Sequence, residues 1–322
     1  MRTAASIASR RAQRERVTAS TLRTVYLGTS EFAGEVLRKL AASAHRPRLV
    51  VTPPDRPKGR GRRMQSPPAA EVAAELGIEL LQTAAINDEE SLARIRAVRP
   101  EAVIVCAFGQ LIREPLLSEW PLLNIHPSLL PHWRGAAPIE RAIMAGEQRT
   151  GVCVMRLTEG LDAGPVALRE EVTIGSEDDF GALSAKLASL GGDLLVQALD
   201  LLAESRLEFV DQDEEAATYA EKISAEERRL DPARPAAELA RAVRALTPHI
   251  GAYLETSDGE RLGVRRARAV DVGVKAGAVK AEWGALLLGC GRGALRLELV
   301  QPPGGKPMAA DAYLRGHSLP KL

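Results

Sequence analysis

Residues 102–106 read Ala-Val-Ile-Val-Cys, five apolar side chains with no polar interruption. A strand with one wet face alternates apolar and polar residues, so an unbroken run of this kind belongs in a strand covered on both faces, as in a parallel sheet under helices. The flanking segments agree. Thr24–Leu27 is a short run ending in Gly28-Thr29-Ser30, and Ser30 is suited to cap a helix whose apolar positions run from Phe32 to Leu40. Leu49–Thr52 and Leu122–Ile125 read as further strands, and Ala69–Leu76 and Glu89–Val98 as helices. The alternation predicts an α/β domain with a Rossmann-like open sheet. Ligands on such sheets bind outside the carboxyl ends of the strands.

A helix over about Phe180–Ala203 closes that domain, and a polar, acidic stretch follows (DQDEEAATYAEK). After the helix Ala236–Leu246 come five short strands: Gly251–Glu255, Arg261–Ala269, Ala278–Glu282, Ala285–Cys290 and Leu295–Gln301. They predict a small OB-like β-barrel. The expected organisation is an N-terminal extension (1–22), an α/β catalytic domain (23–204), a linker (205–224) and a C-terminal barrel domain (225–322). With 322 residues, 45% of them hydrophobic, the chain has the material for two cores. No apolar run approaches the roughly 18 residues of a membrane span, so no membrane partner is expected. Cys106, Cys153 and Cys290 are odd in number and far apart. They suggest neither a metal site nor a disulfide framework, and they fit a reducing, cytoplasmic setting. The Arg-rich residues 1–20 lack the apolar core of a secretory signal. An extension, a misplaced start codon and an organellar presequence all remain open for them.

The net charge of +1 conceals an uneven distribution. Residues 1–20 carry five arginines against one glutamate, residues 21–230 carry 24 basic and 32 acidic groups, and residues 231–322 carry 14 and 9. An acidic body with a basic C-terminal third can meet a polyanion at one end, although chance would also produce such a split. Aromatics make up only 3% of the chain, which disfavours RNA binding by base stacking.

The densest cluster of chemically useful residues is Asn124-Ile125-His126-Pro127-Ser128-Leu129-Leu130-Pro131, followed by Trp133-Arg134-Gly135. Asn124 and His126 are two apart, so on a strand they face the same side. An amide NH₂ there can stabilise an oxyanion, and a neutral imidazole can accept a proton. On spacing alone, a strand-capping histidine and a turn asparagine fit equally. Asp162 lies between Gly160 and Gly164, where it either supports an imidazole or serves as an ordinary turn residue. The segment Asp55–Arg63 holds five cations (Arg56, Lys58, Arg60, Arg62, Arg63) against one carboxylate, with Gly and Pro preventing a regular helix. Such a loop suits phosphate contacts, or is simply solvated. Arg261, Arg265, Arg266 and Arg268 form a second basic group, in which Arg266 and Arg268 would share a strand face. The first βα turn has Ser30 and Ala33 where a dinucleotide fingerprint requires glycines, and no P-loop, zinc-helix or nucleophile-elbow motif is present.

NIHPSLLPHWRGAAPIERA with TGVCVMRLTEGLDAGPV resembles the formyltransferases that use 10-formyltetrahydrofolate. The wider set VYLGTSEFA, PPDRPKGRGRRMQSPP, VIVCAFGQLI, TYAEKISAEERRLD and GGKPMAADAYLRG is similar to the methionyl-tRNA formyltransferase family, from Arg23 nearly to the C-terminus. That resemblance implies formyl transfer from 10-formyltetrahydrofolate to initiator methionyl-tRNA, for translation initiation, by a monomer without a metal. It implies that Asn124 holds the oxyanion, His126 takes the amine proton and Asp162 orients His126. Ser128, Leu129, Leu130 and Pro131 would line the folate site, with Phe108 and Gly109 in the wall for the pteridine. Arg56, Lys58, Arg60, Arg62 and Arg63 would meet the acceptor end of the tRNA, and Arg265, Arg266 and Arg268 its backbone. His132 stands where Arg is common, and Pro127 where Gly also occurs. Two other readings stay open: formylation of a small amine, and a non-catalytic RNA-binding protein.

Overall fold

The computed structural model describes residues 21–58, 63–282 and 284–322. The expectations for residues 1–20, Arg60 and Arg62 lie outside the described residues.

The strands are β1 (Thr24–Gly28), β2 (Leu49–Thr52), β3 (Arg56–Lys58), β4 (Arg63–Gln65), β5 (Glu79–Gln82), β6 (Ala102–Cys106), β7 (Leu122–His126), β8 (Arg134–Gly135), β9 (Arg149–Arg156), β10 (Val166–Thr173) and β11 (Tyr219–Ala220). Seven of them form one sheet in the order β10-β9-β7-β6-β1-β2-β5. Pairing from β5 through β2, β1 and β6 to β7 is parallel, and β9 joins β7 antiparallel. Every residue of β1, β2, β6 and β7 is buried, as the unbroken apolar run of β6 in particular requires. One face of this core joins Val25, Leu27, Leu49, Val51, Val103, Val105 and Leu122 with Ile86, Ile95 and Leu116. Each such side chain contributes about 1.5–3 kcal/mol on full burial.

The strand order reverses at β1, which lies between β2 and β6, so the crevice at the carboxyl ends of β1 and β6 is where a ligand site is expected. Helix α1 (Glu31–Ala41) starts there, with the Ser30 hydroxyl accepting the Ala33 N–H at 3.3 Å. At the other end of β1 the buried His45 accepts the Leu22 N–H at Nδ1 (3.1 Å). Its Nε2 therefore carries the proton and donates to Asp200 at 3.0 Å.

The described chain divides into two compact units. The first comprises the described residues up to His126, with Val152–Glu170 and Ala188–Gln212. The second comprises Pro127–Gly151, Glu171–Leu187 and Asp213–Leu322. Packing thus assigns to the second unit two segments that precede the C-terminal third in sequence.

In the second unit the remaining strands are β12 (Ala252–Glu255), β13 (Arg261–Val270), β14 (Val279–Glu282), β15 (Ala285–Gly289), β16 (Ala294–Gln301) and β17 (Met308–Ala309). They form an antiparallel sheet in the order β12-β13-β16-β15-β14, with β17 added to β16. The five expected strands are present, and β17 is additional. Register shifts around Arg266 mark an irregularity in β13, the device by which strands of small sheets bend over a core. The core collects Leu254, Leu262, Val264, Leu286, Leu288, Leu295 and Leu297 against Leu239, Val243 and Leu246 of helix α2 (Ala236–Leu246).

Candidate active site

In the first unit, β7 carries both Asn124 and His126, 7% and 4% exposed. Their strand partners on β9 are Met155 and Cys153, so alternation puts both side chains on one face. The loop from β9 to β10 brings Asp162 to this pair, with its Oδ2 3.6 Å from His126 Nδ1. The two side chains are 5% and 14% exposed, so the carboxylate acts on the imidazole through little water. Asp162 has φ +48°, a left-handed conformation that Asp tolerates better than most residues. It is both a turn residue and the histidine's acidic neighbour.

A glycine and a glutamine shape this loop. A Cβ on Gly164 would stand 1.9 Å from the Arg156 carbonyl oxygen, so only glycine allows β9 and the loop to approach this closely. Gln212 donates to the carbonyl oxygens of Asp162 (2.8 Å) and Gly164 (2.7 Å). Sequence reasoning placed Gln212 in a linker and attached no role to it.

The segment after β6 is fixed from three sides. Thr29 Oγ1 donates to the Phe108 carbonyl (2.5 Å), Gln110 spans the Ile86 N–H and the Thr83 carbonyl, and Asn87 spans the Arg113 N–H and the Leu111 carbonyl. The Phe108 ring belongs to the apolar core at 3% exposure, while Leu111 is 64% exposed. Gly109 turns between them at φ +80°. Cys106, at the end of β6, is buried, and burial pushes its thiol up to about 12. It is no nucleophile.

In the second unit, Ser128 is fully buried and its hydroxyl donates to the His132 carbonyl at 2.6 Å, closing the Ser128–His132 turn. Leu130 is buried, Leu129 and Pro131 half-buried, and His132 exposed. Arg134, noted in sequence only as part of a motif, is 1% exposed and forms a bidentate pair with Glu214 (2.8 and 2.7 Å). The Trp133 N–H reaches Thr218 Oγ1 and the Arg134 N–H the Thr218 carbonyl, and β8 pairs with β11. The expected linker is thus stitched to the segment that follows β7.

The Arg134 guanidinium holds the Glu214 carboxyl below its ordinary value near 4.5. A depressed carboxylate stabilises the fold above its unfolded pKa and loses that contribution as the pH falls through the folded value. Glu214→Gln is accordingly expected to melt below the wild type at neutral pH, with the gap narrowing on acidification. Thermal scans at neutral and acidic pH check this, and a gap independent of pH would contradict it.

Among its described residues the cationic segment forms an antiparallel pair, β3 with β4, in the register Arg56↔Gln65, Pro57↔Met64 and Lys58↔Arg63. Arg56 and Arg63 are exposed. In the second unit Arg265, Arg266 and Arg268, three of the four arginines of β13, do not behave alike. Arg266 and Arg268 both reach Glu298 at 3.2 Å and are largely exposed, in keeping with a shared face. Arg265 is half-buried and donates twice to Gln301 Oε1 (3.0 and 2.6 Å), so its cation is committed within the fold. Among the described residues no group of three or more His, Cys, Asp or Glu is arranged to hold a metal ion.

A formyl transferase family model matches residues 22–199, and the model of the formyl transferase C-terminal domain matches residues 222–318. The methionyl-tRNA formyltransferase of Methylococcus capsulatus is 43% identical over 302 residues, covering 92% of this chain and 98% of the relative. That of Methylobacillus flagellatus is 42% identical, with 92% and 97% covered. Among solved structures, HypX from Aquifex aeolicus in complex with tetrahydrofolic acid superposes with a TM-score of 0.64 at 18% identity, over 92% of this chain and 47% of that one. An N-formyltransferase from Helicobacter canadensis gives 0.63 at 13%, over 86% and 99%. These two likenesses show the fold, and the sequence relatives show the kinship: the chain belongs to the formyl transferase family, among the methionyl-tRNA formyltransferases.

Proposed function

We propose that the protein transfers the formyl group of 10-formyltetrahydrofolate to the α-amine of initiator methionyl-tRNA, the committing step for formyl-methionine initiation. The observation that carries this reading is the pairing of His126 with Asp162 beside Asn124, in a chain 39–43% identical over most of its length to enzymes of that name. The folate is a substrate that the turnover consumes.

The amine nitrogen attacks the formyl carbon, a C–N bond forms, and the carbonyl oxygen gains negative charge. The Asn124 amide NH₂ donates to that oxygen, and because β7 holds it in place its reorganisation costs little at the moment of reaction. His126 accepts the proton lost by the attacking amine and returns it to N10 of the folate as the bond from the formyl carbon to N10 breaks. Asp162 favours the transient imidazolium and orients the ring. Atoms and charge balance without a further reactant.

The arginines of the β3–β4 segment and the exposed pair Arg266 and Arg268 supply phosphate contacts, which position a nucleic acid without reading its bases. This separates the tRNA reading from formylation of a small amine. Replacing Arg60, Arg62 and Arg63 by alanine is expected to lower kcat/KM for methionyl-tRNA. It should also flatten its salt dependence by about one unit of log–log slope per lost phosphate contact. An unchanged slope, with a small amine as the better acceptor, would favour the other reading.

A further inference from the structure

Gln212 lies in the stretch between α/β domain and barrel that carries no apolar period. The structure nevertheless brings its side chain to the loop that bears Asp162. We infer that Gln212 is a positioning residue for formyl transfer: its carboxamide holds the Asp162–Gly164 turn where the Asp162 carboxylate reaches His126. The inference rests on the formyl-transfer reading above and adds a residue to it.

Four observations support it. The carboxamide nitrogen donates to two carbonyl oxygens of the same turn, those of Asp162 at 2.8 Å and Gly164 at 2.7 Å. An NH₂ group has two hydrogens, so both are accounted for by these bonds. Second, Gln212 is delivered by an antiparallel bridge in which Val166 and Val210 exchange N–H···O bonds of 2.8 and 2.9 Å. Continuing that register places residue 212 opposite residue 164, so a side-chain amide stands where the next ladder donors would be. Third, the turn needs holding. Asp162 is in the left-handed region at φ +48°, and Gly164 packs so tightly on Arg156 that no Cβ fits. Fourth, the Asp162–His126 separation of 3.6 Å is longer than a hydrogen bond, so the carboxylate's influence depends directly on where the turn is held.

Gln212 touches neither reacting atom, and its effect passes through Asp162. That distinguishes it from a residue which only stabilises the fold. Gln212→Leu leaves an apolar side chain one atom shorter and removes both donors. In single-turnover formylation of methionyl-tRNA, it is expected to slow transfer about tenfold or more, as displacement of catalytic groups by about 1 Å commonly does. KM for both substrates should stay within about twofold, because neither is held by this turn. The decisive comparison is the double variant: in an Asp162→Asn background, Gln212→Leu should cost less than about twofold. Two results would overturn the proposal for Gln212 alone: losses that multiply in the double variant, or a Gln212→Leu enzyme at the wild-type rate. An Asp162→Asn enzyme at the wild-type rate would overturn it together with the role given to Asp162. A wild-type enzyme that formylates no methionyl-tRNA would instead remove the functional reading, so the two failures are distinguishable.

Discussion

Asn124→Ala is expected to lower kcat for formyl transfer by about 10²–10³-fold, or about 3–4 kcal/mol of transition-state stabilisation. KM for methionyl-tRNA should change little. The carboxamide is 7% exposed on β7, a strand paired to β6 on one side and β9 on the other, so the donor is held before charge develops. The register with Met155 is made by backbone atoms and survives truncation of the side chain. His126→Ala is expected to cost at least as much, since it removes the proton acceptor and with it the group that Asp162 supports. The pair of variants also settles whether the protein is an enzyme. If either binds methionyl-tRNA normally and has lost transfer, a purely RNA-binding role is excluded. If both retain kcat within tenfold of the wild type, the assignment of the oxyanion donor and the base is wrong.

Gly164→Ala should be the most damaging single methyl group in this loop. The new Cβ would meet the Arg156 carbonyl oxygen at 1.9 Å and its carbon at 3.1 Å, so the β9 backbone has to move. Overpacking of this kind costs about 1–3 kcal/mol and occasionally more, which for a chain of this size lowers Tm by about 2–4 °C per kcal/mol. Transfer should fall further than the lost stability explains, because Gly164 and Asp162 sit two residues apart on the same turn and the clash shifts both. Gly160 in the same loop is the control: its added Cβ would meet two side chains, the Ala163 methyl at 3.0 Å and Thr158 Oγ1 at 4.0 Å, and no backbone atom within that distance. Gly160→Ala is expected to be mild in both assays. Equal effects of the two substitutions, by thermal melting and by rate, would contradict this account of the loop.

The parts of the fold legible in sequence were those with a hydrophobic signature. The runs at Thr24–Leu27, Leu49–Thr52, Ala102–Cys106 and Leu122–Ile125 became the central strands, because burial on both faces favours predominantly apolar residues. The edge strand Glu79–Gln82 went unseen: only two of its four residues are apolar, and none is buried. The segment Asp55–Arg63 reads as a loop, whereas its described ends pair as β3 and β4; these charged, Pro-containing strands carry no alternation. In the site, the two-residue spacing of Asn124 and His126 was enough to propose a shared face. Arg134 with Glu214, 80 residues away, and Gln212 with Asp162, 50 residues away, had no comparable signal. Polar side chains that meet across such separations have no periodicity, and only the folded backbone brings them together.

The central claim is tested most directly by incubating the protein with 10-formyltetrahydrofolate labelled in the formyl carbon and with charged initiator tRNA, then recovering the amino acid from the tRNA. The account predicts labelled N-formylmethionine with the wild-type protein, and loss of the label from methionine in His126→Ala at equal protein concentration. No label on methionine from the wild type, with a donor that a known formyltransferase can use, would contradict it.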